Sequence, residues 1–405
     1  MNETSAPGAL AGIKVVDLSR VLGGPFCTQM LGDYGAEVIK VEPPQGDETR
    51  GWGPPFLDGT ASYFLGINRN KRGIALDLAR AEGRAVLFRL LEDADVLVEN
   101  FKTGTLERWE MGYEAVLEKR FPRLIHCRIS GFGADGPLGG YAGYDAAIQG
   151  SAGVMSLNGE AGGEALRVGV PVVDLATGFN ACIAILVALR ERDRSDRGQS
   201  IEVALYDSAL GLLHPYATNW FLSGKTPART GNAHPNLYPY DQFPTRTKPI
   251  FLAIGNDRQF ARFCAEIGQE ALAADERFKD NKGRVVNRGP LRATLETALA
   301  ALDGDLLCMK LLERGVPCGV VQTLPDALTH PHTRHRGMIY ERGDYRGIAN
   351  PAKLSRTPPR LDRLPPRFGA DGRAVLSAAG YNAAEIDALI ADGILGETLR
   401  KPPAD

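Results

Sequence analysis

One carboxylate stands in a setting suited to chemistry. Asp174 follows the run Val168-Gly169-Val170-Pro171-Val172-Val173 and precedes Leu175-Ala176-Thr177-Gly178. A long apolar segment, Phe179 through Leu189, comes next and closes on Arg190-Glu191-Arg192. No other ionised side chain lies between Arg167 and Arg190. An Asp here reads in two ways. It can be a helix N-cap, accepting backbone N–H bonds. It can also be a nucleophile at a strand-to-helix turn, where unpaired N–H groups hold developing negative charge. The local pattern leaves both open.

Other reactive side chains point to less. The six cysteines, Cys27, Cys127, Cys182, Cys264, Cys308 and Cys318, are scattered and form no CxxC. They read as free thiols in a reducing cytoplasm, not as a metal site or a redox pair. His126 lies within an apolar strand pattern and reads as a core residue. His330, His332 and His335 flank Pro331 at a spacing poor for metal, so no metal is expected. No GxGxxG follows the first strand and no GxxxxGK[ST] occurs, which weakens a dinucleotide site and a P-loop.

The totals narrow the partners. The chain has 405 residues, enough for two domains, with 44% hydrophobic and 24% charged residues and a net charge of -2. That balance favours neither nucleic acid nor an anionic membrane, and leaves a small molecule or another subunit as partner. No apolar run reads as long enough to span a bilayer. Residues 1–10 lack a basic and apolar leader, so a cytoplasmic location is expected.

The elements that would position Asp174 alternate between strand and helix. Strands are expected at Ile13–Leu18, Ala36–Glu42, Val96–Asn100 and Leu124–Ile129, and helices at Phe26–Gly32, Ala81–Asp93 and Leu106–Arg120. That alternation implies parallel βαβ units in an open α/β sheet, with ligands at the carboxyl ends of the strands. Asn100, Ser130-Gly131 and Asp174 would share that rim. A helix is expected from about Leu205 to Leu222. Residues 224–247 are dense in Pro, Gly, Asn and Tyr and read as linker. A smaller α+β domain is expected over 225–325, with a strand at Ile250–Ile254, a helix at Asp257–Gly268, a helical stretch Leu291–Leu312 broken near Gly304, and a strand-like run at Gly315–Val321. Residues 1–222 would form the large domain, to which 326–405 would return, ending in a helix at Ala383–Asp392.

Several segments, taken together and in order, resemble the class III CoA-transferase (CaiB/BaiF) family. They are Leu10-Ala11-Gly12-Ile13-Lys14-Val15-Val16-Asp17, Gly35-Ala36-Glu37-Val38-Ile39-Lys40-Val41-Glu42, Asn68-Arg69-Asn70-Lys71-Arg72, Asp95 to Phe101, Gly143-Tyr144-Asp145, Gly198-Gln199, the loop with His234 and Tyr240, and Gly315-Val316-Pro317-Cys318-Gly319. Asp174 sits where the family has its nucleophile. The resemblance implies a large Rossmann-like domain, a small domain and an interlocked homodimer, with the Pro-rich stretches 223–249 and 344–367 wrapping the partner. It implies acyl-CoA and a small carboxylic acid as substrates, with no tightly bound cofactor. It points to Leu76, Asp77, Leu78, Ala79, Asn100, Phe101, Lys102, Arg108, Tyr144 and Asp145 for coenzyme A, and to His234 and Tyr240 for the second substrate. Lys71, Arg72, Lys102 and Arg108 read equally well as solvated surface charges.

Within that resemblance, racemase members place a His before the Asp at 145. Tyr144 stands there instead, and a phenol with pKa about 10 is a poor base at neutral pH. Transfer is therefore expected over racemisation or dehydration. Trp52-Gly53-Pro54-Pro55-Phe56 and Asp174-Leu175-Ala176-Thr177-Gly178 look most like the succinate–hydroxymethylglutarate branch, whose members use dicarboxylates. The glycine-rich loop of the formyl-CoA transferase branch is replaced by the shorter Gly255-Asn256-Asp257, which speaks against oxalate. The chemistry implied is exchange of one thioester for another. Asp174 would take the acyl group as a mixed anhydride and then CoA as an aspartyl thioester, with succinyl-CoA or a similar donor.

Overall fold

The computed structural model describes residues 7–400. They divide into two compact units. One runs to Val154, includes Val168–Pro215 and resumes at Arg336; the other comprises Met155–Arg167 and Tyr216–His335. The second unit therefore starts earlier than the expected 225 and claims a short insert ahead of Asp174.

The first unit is built on one sheet. Its strands are β1 (Lys14–Asp17), β2 (Glu37–Glu42), β3 (Lys71–Leu76), β4 (Val96–Glu99), β5 (Ile125–Ser130) and β6 (Ser200–Ala204). They lie in the order β3-β2-β1-β4-β5-β6, all parallel, with Leu395–Gly396 added antiparallel beside β3. This is the doubly wound order, in which the strand sequence reverses direction between β1 and β4. Ligands bind in the crevice at such a reversal, outside the carboxyl ends of the strands. The loops after β1 and β4 are thus the ones to inspect.

Both faces are covered, as a parallel sheet requires. Successive strand residues go to opposite sides. Val15, Val38, Val96 and Val98 pack under α1 (Gly23–Asp33) and under the long helix that bears Asp174. Val16, Ile39, Ile74, Leu76 and Leu97 pack under α2 (Ala81–Leu91) and the C-terminal residues Val375, Leu376 and Ile386.

Four further features depart from expectation. The stretch Leu106–Arg120 is not one helix; it breaks around Glu110, whose φ is +58°. The helix expected to Leu222 stops at Gly211 and a separate one starts at Tyr216. The stretch 344–367, expected to wrap a partner, is held in part on its own chain: Asn70 Oδ1 accepts the Asp362 and Arg363 N–H groups at 2.8 and 2.9 Å. Finally, the Asp174 helix, Val172–Ser195, is long and apolar enough to cross a bilayer, with mean hydropathy 2.1 over its best window. Its inner residues Ala181, Ile185 and Ala188 are buried in the sheet core.

The second unit has a three-stranded antiparallel sheet, β7 (Tyr240–Phe243), β8 (Ile250–Ala253) and β9 (Cys318–Val320), packed on helices Asp257–Glu266, Arg288–Leu299 and Gly304–Glu313. Gly255-Asn256-Asp257 starts the first of these, and the Asn256 side chain caps it by accepting from the Gln259 N–H at 2.9 Å.

Candidate active site

Asp174 lies in the first turn of the helix Val172–Ser195, now called α4, preceded by α3 (Asp145–Ser151). No strand leads into it. Pro171 is the N-cap and supplies no side-chain acceptor. The capping reading of Asp174 is therefore corrected: no hydrogen bond reaches its carboxylate among the described residues. The cap comes from elsewhere. Asp145 Oδ2 accepts the N–H groups of Val173 at 2.8 Å and Asp174 at 3.1 Å. Its Oδ1 accepts from Gln149 Nε2 at 2.6 Å, and Gln149 Oε1 in turn accepts the Val168 N–H at 2.8 Å. One carboxylate thus anchors the helix start and leaves the other free.

The freed carboxylate is destabilised as an anion. Burial first, and the Asp145 charge second, lift the Asp174 carboxyl to about 7. The ordinary carboxylate value expected from its type does not apply here. Tyr63 is drawn into the same field. Burial, then Asp174, then Asp145 push its phenol up to about 12, so it stays a proton donor.

Asp174 opens onto a cavity of about 240 Å³ at the β1/β4 reversal, walled also by Arg20, Gly23, Glu48, Asn100, Lys102 and Tyr144. α1 begins at Gly23 with no side-chain cap, so its first N–H groups have no acceptor from a capping side chain. A Cβ on Gly23 would stand 3.4 Å from the Asp174 carbonyl oxygen and 3.7 Å from its Oδ1. Deeper in the same helix crossing, a Cβ on Gly178 would stand 2.8 Å from the Gly23 carbonyl oxygen. Glycine at 178 is what lets α1 approach α4 at the level of Asp174.

A second cavity, about 400 Å³, shares Arg20, Phe101 and Lys102 with the first. Leu76, Asp77, Leu78 and Ala79 form part of its wall, with Leu18, Val41, Pro43, Pro44 and Trp109. Of the residues singled out for coenzyme A, Asn100, Tyr144 and the Leu76–Ala79 segment thus line one cavity each, and Phe101 and Lys102 line both. Two stand elsewhere. Arg108 is exposed and donates to Thr105 Oγ1 at 3.0 Å, and it lines neither cavity. Asp145 is buried behind Asp174 as its helix cap.

Lys71 is no surface charge. It is fully buried and donates to Asp17 Oδ2 at 3.0 Å, beneath the β1–α1 loop. Burial, first among the influences on it, brings its amine down to about 8. Arg72 is partly buried and pairs with Glu37 at 3.4 Å. In the second unit, His234 and Tyr240 face each other with ring centroids 5.0 Å apart, and His234 Nδ1 accepts N–H bonds from Asn236 and Leu237. Among the described residues, no group of three or more His, Cys, Asp or Glu is placed to hold a metal ion.

Comparison with known proteins bears on this geometry. The family model for CoA-transferase family III matches residues 10–372. The chain belongs to CoA-transferase family III. A succinate–glutarate CoA-transferase from Agrobacterium fabrum is 40% identical over 91% of this chain and 95% of its own length. An acetyl-CoA:oxalate CoA-transferase from Acetobacter aceti is 39% identical over 86% and 90%. The crystal structure of a CaiB/BaiF family protein from Brucella suis superposes with a TM-score of 0.83 at 42% identity, over 92% of this chain and all of that one. This family III chain is thus an α/β enzyme whose substrates include CoA thioesters. Sequence reasoning missed Arg20, Gly23, Glu48 and Tyr63. For Gly23 the available signal is the turn-type run Gly23-Gly24-Pro25 shortly after the first strand.

Proposed function

We propose that this enzyme moves CoA from succinyl-CoA or a similar acyl-CoA to a small dicarboxylic acid, through covalent intermediates on Asp174. The observation that carries the reading is an uncapped, unbonded carboxylate facing the cavity at the sheet's reversal, with its backbone held by Asp145.

The ionised Asp174 attacks the thioester carbonyl and expels CoA thiolate, giving a mixed anhydride. The thiolate attacks the aspartyl carbonyl, forms aspartyl-CoA and releases the donor acid. The acceptor carboxylate then runs the two steps in reverse. Each tetrahedral stage bears an oxyanion. The first N–H groups of α1 at Gly23 and the Tyr63 phenol are the donors we assign to it. CoA would lie with its nucleotide end against Leu76–Ala79 and its pantetheine arm past Phe101, Lys102 and Asn100 toward Tyr144. His234 and Tyr240 enter as proposed acid contacts through the family resemblance, and KM for the acid in His234→Ala and Tyr240→Phe tests them. The acetic-acid bacterial relative named for oxalate returns that diacid to the candidate acceptors, against the expectation drawn from the short loop.

We further propose a homodimer. Phe179, Ile183, Leu186 and Val187 form an exposed apolar stripe on the outer side of α4, which a partner subunit would cover.

The deciding experiment is intact-mass detection of an aspartyl-CoA adduct after succinyl-CoA is added, with hydroxylamine modification at Asp174 as confirmation. Both are expected in the wild type and absent in Asp174→Ala. Solvent exchange of the α-proton of a 2-methylacyl-CoA at a competent rate, without CoA transfer, would favour the racemase reading instead.

A further inference from the structure

The loop between β1 and α1 carries a cation that the described residues leave unanswered. Arg20 lines both cavities, at their junction. Its Nε is buried without a hydrogen-bond partner, and among the described residues no ion pair reaches its guanidinium. Lys102, the other cation of the junction, is exposed to solvent.

The loop holds the backbone at Arg20 in place. The Asn100 carboxamide grips both sides of the Arg20 residue: its Oδ1 accepts the Arg20 N–H at 2.9 Å, and its Nδ2 donates to the Arg20 carbonyl at 2.7 Å. One residue earlier, the Ser19 carbonyl accepts from the buried Lys40 Nζ at 2.9 Å, and the Ser19 N–H donates to the buried Asp17 at 2.9 Å. One residue later, Val21 sits at φ +68°. A β-branched residue there is strained, and such backbone persists only where its surroundings over-determine it. Clamp, buried ions and strain converge on a residue whose guanidinium meets no ion pair among the described residues.

We infer that Arg20 is the anion anchor of this site, its guanidinium taking an oxyanion of the substrate at the junction of the two cavities. A guanidinium fork matches carboxylate and phosphate oxygens bidentately, and an acceptor for the buried Nε would also end its desolvation without a partner. The inference deepens the proposed function and rests on it for the substrates. Those substrates carry two such groups, the far carboxylate of a dicarboxylic acid and the phosphates of CoA.

The test uses the full chain as Arg20→Gln and Arg20→Lys, with the melting temperature as a check on folding. Calorimetric titrations with glutarate, pentanoate, CoA and pantetheine are combined with transfer assays from succinyl-CoA to glutarate. If the anchor holds the far carboxylate, Arg20→Gln weakens glutarate at least about tenfold and leaves pentanoate unchanged. If it holds phosphate, the variant weakens CoA by that much and leaves pantetheine unchanged. Arg20→Lys, which keeps the charge without the fork, falls between in either case. Wild-type affinity of Arg20→Gln for both glutarate and CoA overturns the inference, as does a loss shared equally by pentanoate and glutarate with CoA unaffected. The titrations need no turnover. A protein that binds through Arg20 but transfers no CoA sinks the proposed function and leaves the anchor standing.

Discussion

At the scale of single residues, two carboxylates divide the work between them. Asp145 is bonded on both oxygens and Asp174 on neither. The elevated value of Asp174, about 7, has a definite sign for stability. Its folded value lies above the unfolded value of about 3.9, so the folded chain holds the proton more tightly. Stability is therefore lost as pH climbs from about 4 through about 7, and the loss is complete above that. Asp174→Asn, neutral throughout, is expected to melt above the wild type at about pH 8 and level with it at about pH 4, as calorimetric scans would show. In the same window, kcat/KM for the thioester is expected to rise about tenfold per pH unit and level off above about 7, since only the anion attacks. A profile flat across that range would remove Asp174 as the nucleophile. Asp145→Asn keeps an oxygen for the two N–H groups but removes the charge. Its activity profile is expected to shift to lower pH, though not to an ordinary carboxylate position, because burial is the larger cause and stays. Asp145→Ala loses the cap as well, at a cost of about 0.5–2 kcal/mol in chemical denaturation.

At the scale of elements, β1, β2, β4 and β5 were legible as short β-rich runs between helical patterns, and so was the rim that holds Asn100. β3 was not. Lys71-Arg72-Gly73 opens it with two cations and a glycine, and Lys71 is buried because Asp17 on β1, the Pro25 carbonyl and the Asn68 side chain receive its ammonium. A partner such as Asp17 is invisible to local pattern. The Asp145 cap was hidden for the same reason: its donors lie 28 and 29 residues away, and only the fold brings them together. The run 168–173 looked like a strand because Val is β-branched, yet α4 already starts at Val172, where Asp145 supplies the missing acceptor. The crossing of α1 and α4 gives a sharp test. In Gly178→Ala the added methyl meets the Gly23 carbonyl oxygen at 2.8 Å and the Phe26 ring at 2.9 Å, so the helices must separate. Overpacking of this kind costs about 1–3 kcal/mol. Because Gly23 and Asp174 line the same cavity, kcat is expected to fall more steeply than stability. A variant with lowered melting temperature but unchanged kcat would show that the helix spacing does not set the site.

At the scale of the whole molecule, the question is what covers α4. Ile183 is 59% exposed and Val187 63%, on a helix whose opposite side is core. Nearby in the chain, Leu210 and Leu212 are each 44% exposed in the same unit. A stable interface buries about 1,200–2,000 Å² in total, more than one helical stripe provides, so neighbouring apolar surface must join it. If a second copy covers the stripe, two lysines in its centre must be desolvated on association, and that penalty falls on the dimer alone. Ile183→Lys combined with Val187→Lys is therefore expected to give monomers by light scattering at concentrations where the wild type is dimeric. In the monomer both side chains reach water, so the fold itself is expected to change by less than about 0.5 kcal/mol per site. Wild-type protein that scatters as a monomer, or a double variant that stays dimeric, would mean that the outer side of α4 is not the contact surface.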